Sequence, residues 1–193
     1  MSDGSPEQTT REKLIQAGLE ELREFGAQGF SARRVAKRCG VSCAAPYKHF
    51  ENKDRFIAEI LGYINGIYFE EQQEVLAQYA DCDVKTRLLQ VNLHYIRFLV
   101  QHPAFHSVIT QDFSRMDPAY KALREQLSVH TYELVNSYCA SVNAPESVQK
   151  ERTFIVRSIV YGAALFFSNQ QVEYNEENMK MVADILEREM EFF

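Results

Sequence analysis

Residues 30–50 of the chain, FSARRVAKRCGVSCAAPYKHF, carry its clearest structural signal. Ser31 and Ser42 are each placed to cap a helix, because serine hydroxyls accept hydrogen bonds from free backbone amides at helix starts. The predicted helices run from Ser31 to Arg38 and from Ser42 to about His49, and Gly40 allows a sharp turn between them. Two short helices joined by a glycine turn have the dimensions of a helix-turn-helix, whose second helix enters the major groove of DNA.

The second helix begins with small residues and ends with residues that can bind an anion. Small side chains at Cys43, Ala44 and Ala45 would let the backbone approach base edges, where an alanine methyl can touch a thymine methyl. Tyr47 and Phe50 could also be core aromatics. The candidate DNA-contacting residues are Ser31, Arg33, Arg34, Ser42, Cys43, Ala44, Ala45, Tyr47, Lys48, His49 and Lys53.

Two features of this helix affect how it would recognise DNA. It contains no Arg, Asn or Gln that could make a bidentate base contact, so specificity is expected from methyl contacts, from Lys48 or from DNA shape. Pro46 disfavours helical geometry at Ala45 and removes an amide donor. We therefore expect the helix either to begin tightly wound or to begin later than Ser42.

Charge is distributed unevenly along the chain. The 193 residues carry a formal net charge of −6, yet the segment from Ser31 to Arg55 carries +5. A basic surface on an otherwise acidic protein is typical of a local phosphate-binding region. A solvated charged face is the alternative interpretation.

The segment from Phe30 to Leu61 resembles the DNA-binding segment of the TetR family of bacterial transcription regulators. The residues that carry the resemblance are Ser31, Gly40, Val41, Ser42, Tyr47, His49, Phe50 and Lys53. The resemblance implies phosphate contacts by Tyr47, His49 and Lys53, and a helical C-terminal domain that binds a small molecule and dimerises through its last two helices. Ala44 and Pro46 replace the glycine and the aliphatic residue of many relatives, a variant that is similar to one subgroup with Ala-Ala-Pro-Tyr.

Helical periodicity continues along the rest of the chain and predicts an all-α protein of about nine helices. Thr9 and Glu12 form a capping-box pattern before the first helix, and Gly26 is expected to end it. The further predicted helices are Asn52–Gln78, Val84–Gln101, Pro103–Gln111, Pro118–Val142, Pro145–Gln170 and Glu176–Phe192. The expected organisation is a disordered tail over 1–8, a DNA-binding domain over 9–55, and a ligand-binding and dimerisation domain over 56–193.

The segment from Ile159 to Phe167 is apolar nearly all round and the final predicted helix carries an apolar stripe, which favours packing against a second copy of the chain. Coverage of both faces within one chain is the alternative. The candidate dimer residues are Val160, Gly162, Ala163, Phe167, Val182 and Leu186.

A ligand site is harder to locate from the sequence, because aromatic residues at helical spacing usually belong to a core. The candidate ligand-binding residues are Phe98, His102, Phe105, Phe113, Tyr120, Tyr138 and Tyr161. The effector itself cannot be named from these residues.

Other classes of protein find little support in the sequence. No apolar run approaches the roughly 20 residues of a membrane span, and no export signal precedes the first helix, so a soluble cytoplasmic protein with reduced cysteines is expected. Cys39 and Cys43 are four residues apart, but no second cysteine pair completes a zinc site. We find no nucleophile elbow, phosphate-binding glycine loop or helical metal-ligand pair, and we expect neither an enzyme nor a cofactor.

The sequence therefore predicts a ligand-responsive DNA-binding regulator, in the form of a homodimeric repressor that binds a pseudo-palindromic operator and is released by a small-molecule inducer. The alternative is a TetR-like architectural or partner-recruiting DNA-binding protein that has no small-molecule effector.

Overall fold

The computed structural model describes residues 9–103, 105, 126 and 129–191, and within these ranges every regular element is an α-helix. The helices are α1 (Thr10–Gly29), α2 (Ala32–Arg38), α3 (Ala45–His49), α4 (Lys53–Gln78), α5 (Val84–Gln101), α6 (Val129–Ser141), α7 (Glu146–Ser168) and α8 (Glu176–Glu189). The predicted all-α class is confirmed. The predicted tail, most of the predicted helix Pro103–Gln111 and the first part of Pro118–Val142 lie outside the described residues.

The chain divides into two compact units, and the boundary falls inside α4 after Gly66. Unit 1 contains α1, α2, α3 and the first part of α4, whereas unit 2 contains the rest of α4 and α5 to α8. The division into residues 9–55 and 56–193 concerns function and stays a prediction.

Helix α1 begins as its sequence predicts and is kinked near its end. The Glu12 amide donates to Thr9 Oγ1 at 3.3 Å and the Thr9 amide donates to Glu12 Oε2 at 2.8 Å, which completes the capping box. That backbone hydrogen bond from Thr9 lowers the pKa of Glu12. Gly26 takes a positive φ of 63° and kinks the helix, but one further turn continues to Gly29. The first helical stretch therefore ends at Gly26, as the sequence predicts, and the α1 range joins it to one further turn across the kink.

Unit 1 has a core to which α1, α2 and α4 contribute, together with Phe50 at the end of α3. Its buried side chains include Leu14, Leu22, Val35 and Phe56. Phe50 is also buried and stacks on Phe56 with ring centroids 4.0 Å apart, so it is a core aromatic. This packing holds the chain on both sides of α3 against the body of the unit.

Gly18 marks the closest approach of α1 to α4. A Cβ atom at Gly18 would lie 2.6 Å from Ile60 Cδ1, which is closer than two carbon atoms can pack. The absence of a side chain at Gly18 therefore lets α4 lie against α1 and brings Ile60 into the core.

Unit 2 is arranged around α5, which packs against α6, α7 and α8. The buried face of α5 includes Leu88, Val91, Ile96 and Leu99. The Tyr138 hydroxyl of α6 donates to the backbone oxygen of Met190 at 2.6 Å and so fixes the end of α8.

His94 is a buried titratable residue on α5. Its ring stacks on Tyr68 with centroids 5.4 Å apart, and its Nε2 atom lies 3.9 Å from Glu71 Oε2. Burial lowers the pKa of His94 below its ordinary value, and the neighbouring Glu71 opposes this shift only in part. The neutral imidazole is therefore the form that the fold favours.

Candidate nucleic-acid interface

The turn between α2 and α3 forms through local hydrogen bonds. The Ser31 hydroxyl accepts from the Arg34 amide at 3.4 Å and caps α2, as the sequence predicts. At the other end, Gly40 has a φ of 66°, and the amides of Gly40 and Val41 donate to Lys37 and Ala36 at 3.2 and 3.0 Å. This pattern is the glycine-terminated helix end that reverses the chain, and it requires the left-handed conformation that glycine adopts readily.

Helix α3 starts at Ala45, which corrects the expectation that the Ser42 side chain caps a helix beginning there. The residue at the cap position is Ala44, and no side chain caps the helix. A helix from Ser42 would need the amide of residue 46 to donate to the Ser42 carbonyl, but that residue is Pro46, which has no N–H. The Ala45 amide donates to the Ser42 oxygen instead, at 2.9 Å, in a tighter turn.

The segment around α3 faces solvent on one side and the core on the other. Pro46, the second residue of α3, is buried, whereas the Tyr47 side chain is 54% exposed. The exposed residues of the segment are Ser42, Cys43, Ala44, Tyr47, Lys48 and His49, and Ala45 is partly exposed. The small and anion-binding residues singled out in the sequence therefore share one accessible surface, which we call the α3 surface.

Two arginines of α2 are engaged by acidic residues of α1. The buried Glu21 carboxylate accepts from Arg34 Nε at 2.7 Å and from the Ser31 amide at 3.1 Å. Arg38 donates to both carboxylate oxygens of Glu24, at 3.0 and 2.6 Å. These hydrogen bonds lower the pKa of Glu24 and raise that of Arg38. Glu21 and Glu24 therefore neutralise part of the positive charge of the segment from Ser31 to Arg55.

Arg34 has two further partners that keep it against unit 1. Its guanidinium donates to the Gly29 oxygen at 2.5 Å and lies 4.1 Å from the ring centroid of Phe25, which is itself 46% exposed. Phe25 therefore serves as a stacking surface for a cation.

The remaining basic residues near α3 differ in whether their side chains bond to other parts of the chain. Arg33, Lys37 and Lys48 are exposed and form no ion pair within the described part of the chain. Lys53 is partly buried at the start of α4, where its Nζ donates to the backbone oxygen of Gln28 at 3.1 Å. Lys37 is not among the candidate DNA-contacting residues that the sequence predicts. Its position one turn after Arg33 on α2 is the signal that could have added it.

Residues 14–60 match the family model of bacterial regulatory proteins of the tetR family. The matched range contains most of α1, all of α2 and α3 and the start of α4, and so includes the whole α3 surface. The N-terminal part of the chain is thus TetR-like both in sequence and in the arrangement of its helices.

Two curated relatives match parts of the chain. The nucleoid occlusion factor SlmA of Marinobacter nauticus is 28% identical over 102 residues, which are 53% of this chain and 51% of that protein. The class C tetracycline repressor protein of Escherichia coli is 46% identical over 43 residues, which are 22% of this chain and 20% of that protein. The chain therefore matches about half of the first relative's length and about a fifth of the second's.

Solved structures match nearly the whole chain in fold. A TetR-family regulator from Bordetella parapertussis has a TM-score of 0.71 at 15% identity and covers 96% of this chain and 95% of its own. The regulator FadR from Bacillus subtilis, solved in complex with stearoyl-CoA, has a TM-score of 0.70 at 16% identity and covers 94% and 98%. At such identities the similarity establishes the TetR-like fold.

Unit 2 of this TetR-like chain contains a small cavity between α5, α6 and α7. Its lining consists of Leu88, Asn92, Tyr95, Thr131, Tyr132, Val135, Arg152, Thr153, Val156, Arg157, Val160 and Tyr161. The cavity volume is about 50 Å³, and an open groove of about 780 Å³ adjoins it along α6 and α7. The cavity alone has room for a few water molecules, whereas the groove has the size of a small-molecule site.

The polar part of the cavity is formed by two tyrosines. The hydroxyls of Tyr95 and Tyr161 lie 3.5 Å apart, and burial raises the pKa of Tyr95 well above its usual value. Tyr95 was missed by the sequence analysis, although its spacing from Leu88 and Asn92 places all three on one face of α5.

Of the sequence-predicted ligand residues that the structure describes, Tyr161 lines this cavity and the others do not. Phe98 is fully buried between Tyr68 and His102, and Tyr138 is bonded to Met190. Phe105 is also buried. Phe113 and Tyr120 lie outside the described residues.

The apolar side chains that α7 and α8 leave exposed differ from the candidate dimer residues that the sequence predicts. Five of the six candidate dimer residues, Val160, Ala163, Phe167, Val182 and Leu186, are buried within one chain, and Gly162 is partly exposed. The exposed apolar side chains of α7 and α8 are instead Phe154, Leu165, Phe166 and Met181, of which Phe154 is 73% exposed. We call these four residues the outer apolar face.

Metal-ligand clusters and membrane-spanning helices are both absent from the described residues. No group of three or more His, Cys, Asp or Glu residues within the described ranges could hold a metal ion. None of the described helices has the length and hydropathy to cross a membrane.

Proposed function

We propose that this protein is a DNA-binding transcription regulator whose α3 surface enters the major groove. The observation that carries the proposal is the exposure of the small residues 42–44 next to Tyr47, Lys48 and His49, directly after the Gly40 turn. A surface that offers methyl-sized groups beside hydrogen-bond donors suits close approach to base edges.

We assign the phosphate contacts to the basic side chains near α3 that form no ion pair within the described part of the chain. Arg33 and Lys37 on α2 and Lys48 on α3 are exposed and available for this role, and Tyr47 and His49 add donors. Arg34 and Lys53 are given a positioning role, because their donors already bond to unit 1. Base readout falls to Ser42, Cys43, Ala44 and Ala45, with DNA shape as a further source of specificity.

A homodimer is part of the proposal. We infer that a second copy of the chain covers the outer apolar face around a two-fold axis, because four large apolar side chains of α7 and α8 are exposed. Binding to a pseudo-palindromic site would require the two α3 helices of such a dimer to lie about 34 Å apart, on successive major grooves.

We further propose that the protein acts as a repressor that a small molecule releases from DNA. Support comes from the groove in unit 2, and from the class C tetracycline repressor and the stearoyl-CoA complex of FadR among similar proteins. An inducer would act by binding more tightly to the dimer geometry that cannot span two grooves.

Fluorescence anisotropy with DNA from upstream of the protein's own gene tests the proposal. We expect that DNA to bind about 1,000-fold more tightly than shuffled DNA of equal length, and the affinity to fall steeply between about 50 and 200 mM salt. Lys180→Ala removes an exposed positive charge from α8 in unit 2 and is the control. It should bind both DNAs as the unchanged protein does. Equal affinity for both DNAs, or no dependence on salt, would overturn the assignment.

A second candidate is a DNA-binding protein that recruits partners and senses no small molecule. The observations that favour it are the cavity of only about 50 Å³ in unit 2 and the 28% identity to a nucleoid occlusion factor over half of the chain. Calorimetric screening of the purified protein against small molecules separates the two candidates. A bound compound that lowers DNA affinity supports the repressor, whereas DNA binding that no compound alters supports this second candidate.

A further inference from the structure

Arg157 in unit 2 carries a positive charge that no carboxylate within the described ranges neutralises. Its guanidinium donates to the Tyr132 hydroxyl at 2.6 Å and lies 5.8 Å from the centroid of that ring. The phenol is neutral and so leaves the charge of Arg157 uncompensated. Arg152 lines the same cavity but donates to Glu189 Oε2 at 2.8 Å, so its charge is already balanced.

Arg157 stands where the cavity and the groove meet. It lines both spaces, as do Tyr132 and Tyr161. The neighbouring walls are apolar, with Val135 on both sides and Val156 and Val160 deeper in the cavity. The site therefore combines one uncompensated cation with an apolar surface.

Arg157 is exposed, and it is also close enough to Tyr95 to act on it. Burial and the neighbouring Tyr161 raise the pKa of Tyr95, and the charge of Arg157 opposes this shift only in part. A group bound beside the hydroxyls of Tyr95 and Tyr161 would therefore experience the field of this guanidinium. Lys150, another cation along the groove, pairs with Glu146 at 2.7 Å and contributes no comparable charge.

We propose that this site binds a carboxylate carried on a small apolar body, with Arg157 as the anion-binding residue. A carboxylate accepts two parallel hydrogen bonds from one guanidinium, and a single negative charge matches a single unpaired arginine. The apolar body lies along Val135 and the groove, where burial of its surface adds affinity. The inference rests on the small-molecule site of the proposed function and specifies the ligand chemistry.

Isothermal titration calorimetry with octanoate, octan-1-ol and octylammonium tests this assignment. Octanoate should bind more tightly than either comparison compound, because the three share the apolar chain and differ in charge. Arg157→Gln should weaken octanoate binding at least about tenfold, as expected for a hydrogen bond to a charged group. Lys150→Gln, which removes one positive charge from the same groove, should leave the affinity unchanged.

Tyr132→Phe distinguishes an anion-binding arginine from a merely structural one. This variant keeps the ring beneath Arg157 and frees its guanidinium, so octanoate should bind at least as tightly as to the unchanged protein. Equal binding of octanoate and octan-1-ol would overturn the proposal. An equal loss in Tyr132→Phe and Arg157→Gln, or in Lys150→Gln, would overturn it too.

A second measurement requires no variant and therefore does not depend on the folding of Arg157→Gln. Saturating octanoate should protect Arg157 from modification by phenylglyoxal, detected by peptide mass spectrometry, while the exposed Arg33 stays reactive. Absence of protection contradicts the site.

None of these experiments contains DNA, so their outcome is separate from that of the proposed function. Binding of octanoate through Arg157 without sequence-specific DNA binding would keep the site and remove the regulator. DNA binding without octanoate binding would do the reverse.

Discussion

Glu21 Oε1 accepts a hydrogen bond from Arg34 Nε at 2.7 Å and so joins a fully buried carboxylate of α1 to the first turn of α2. The same oxygen accepts from the Ser31 amide at 3.1 Å. Because Ser31 also caps α2, one buried carboxylate fixes the start of the helix that leads into the α3 surface. A carboxyl group buried in this position is stabilised by the charged donor and the backbone donor that both bond to Oε1.

Glu21→Ala should lower the free energy of unfolding by about 2–3 kcal/mol, because it removes two hydrogen bonds to a charged acceptor. Urea denaturation followed by circular dichroism measures the change. Glu24→Ala is the matched control, since it removes the exposed partner of Arg38, and its effect should be clearly smaller. Equal losses in the two variants would show that the buried carboxylate has no special role.

Gly40→Ala should destabilise the protein by about 1–2 kcal/mol, because alanine is strained at the positive φ of this turn. Gly62→Ala is the control. A Cβ at Gly62 meets nothing within 4 Å in α4, so this change should stabilise the helix by up to about 1 kcal/mol. Thermal unfolding of both variants gives the comparison, and two shifts of the same sign would contradict the assigned turn geometry.

Lys48→Ala should weaken binding to all DNA sequences alike and reduce the slope of log K against log salt by about one unit. Ala44→Val, by contrast, should change which sequence is preferred, because a larger side chain meets the base edges. Anisotropy titrations on a set of single-base operator variants measure both effects. Uniform losses from both substitutions would mean that these two residues have been given the wrong roles.

The protein should lose stability as the pH falls from about 7.5 to 5.5, in part because of His94. Its pKa in the folded protein lies below the ordinary value of 6.5. The unfolded chain therefore takes up the proton first, and the stabilising effect present above pH 6.5 declines as the pH falls toward the folded pKa. His94→Phe keeps a ring against Tyr68 and should reduce this pH dependence in urea denaturation.

His49→Gln serves as the control for that experiment, because His49 is an exposed residue of the α3 surface. It should retain the pH dependence of the unchanged protein. If His94→Phe also retained it, another group, such as the part-buried His102, whose pKa burial lowers as well, would have to be responsible.

Phe166→Glu should convert the proposed dimer to a monomer, because it replaces an exposed apolar side chain of the outer apolar face with a charge. Sedimentation velocity measures the mass. Tyr63→Glu, at an exposed aromatic residue of α4 in unit 1, is the control and should leave the dimer intact. A dimer that survives Phe166→Glu would place the contact elsewhere.

Most features of unit 1 could be predicted from the sequence because they depend on neighbours in the chain. The Thr9–Glu12 capping box, the Ser31 cap and the positive φ of Gly40 each involve residues at most a few positions apart. The start of α3 was the exception, since an alternative start after Ser42 had been left open. The missing amide of Pro46 decides it in favour of Ala45.

Features of unit 2 were harder to predict because periodicity marks an apolar face without naming its partner. Val160 and Leu186 belong to apolar stripes, and both are buried within one chain, on helices that pack against α5. The cavity residues Tyr95 and Arg157 come from different helices, and no pattern within either helix indicates that they share a site.

The all-helical class, the turn at Gly40 and the cluster of small and basic residues around α3 could be predicted from neighbouring residues, because capping, turns and helical spacing depend on local hydrogen bonds. Which charged groups remain available depends on the folded arrangement. Glu21 and Glu24 reach Arg34 and Arg38 from more than ten residues away, and Arg157 is left without a carboxylate within the described ranges. Electrostatic pairing depends on distance in space, which the order of residues does not specify.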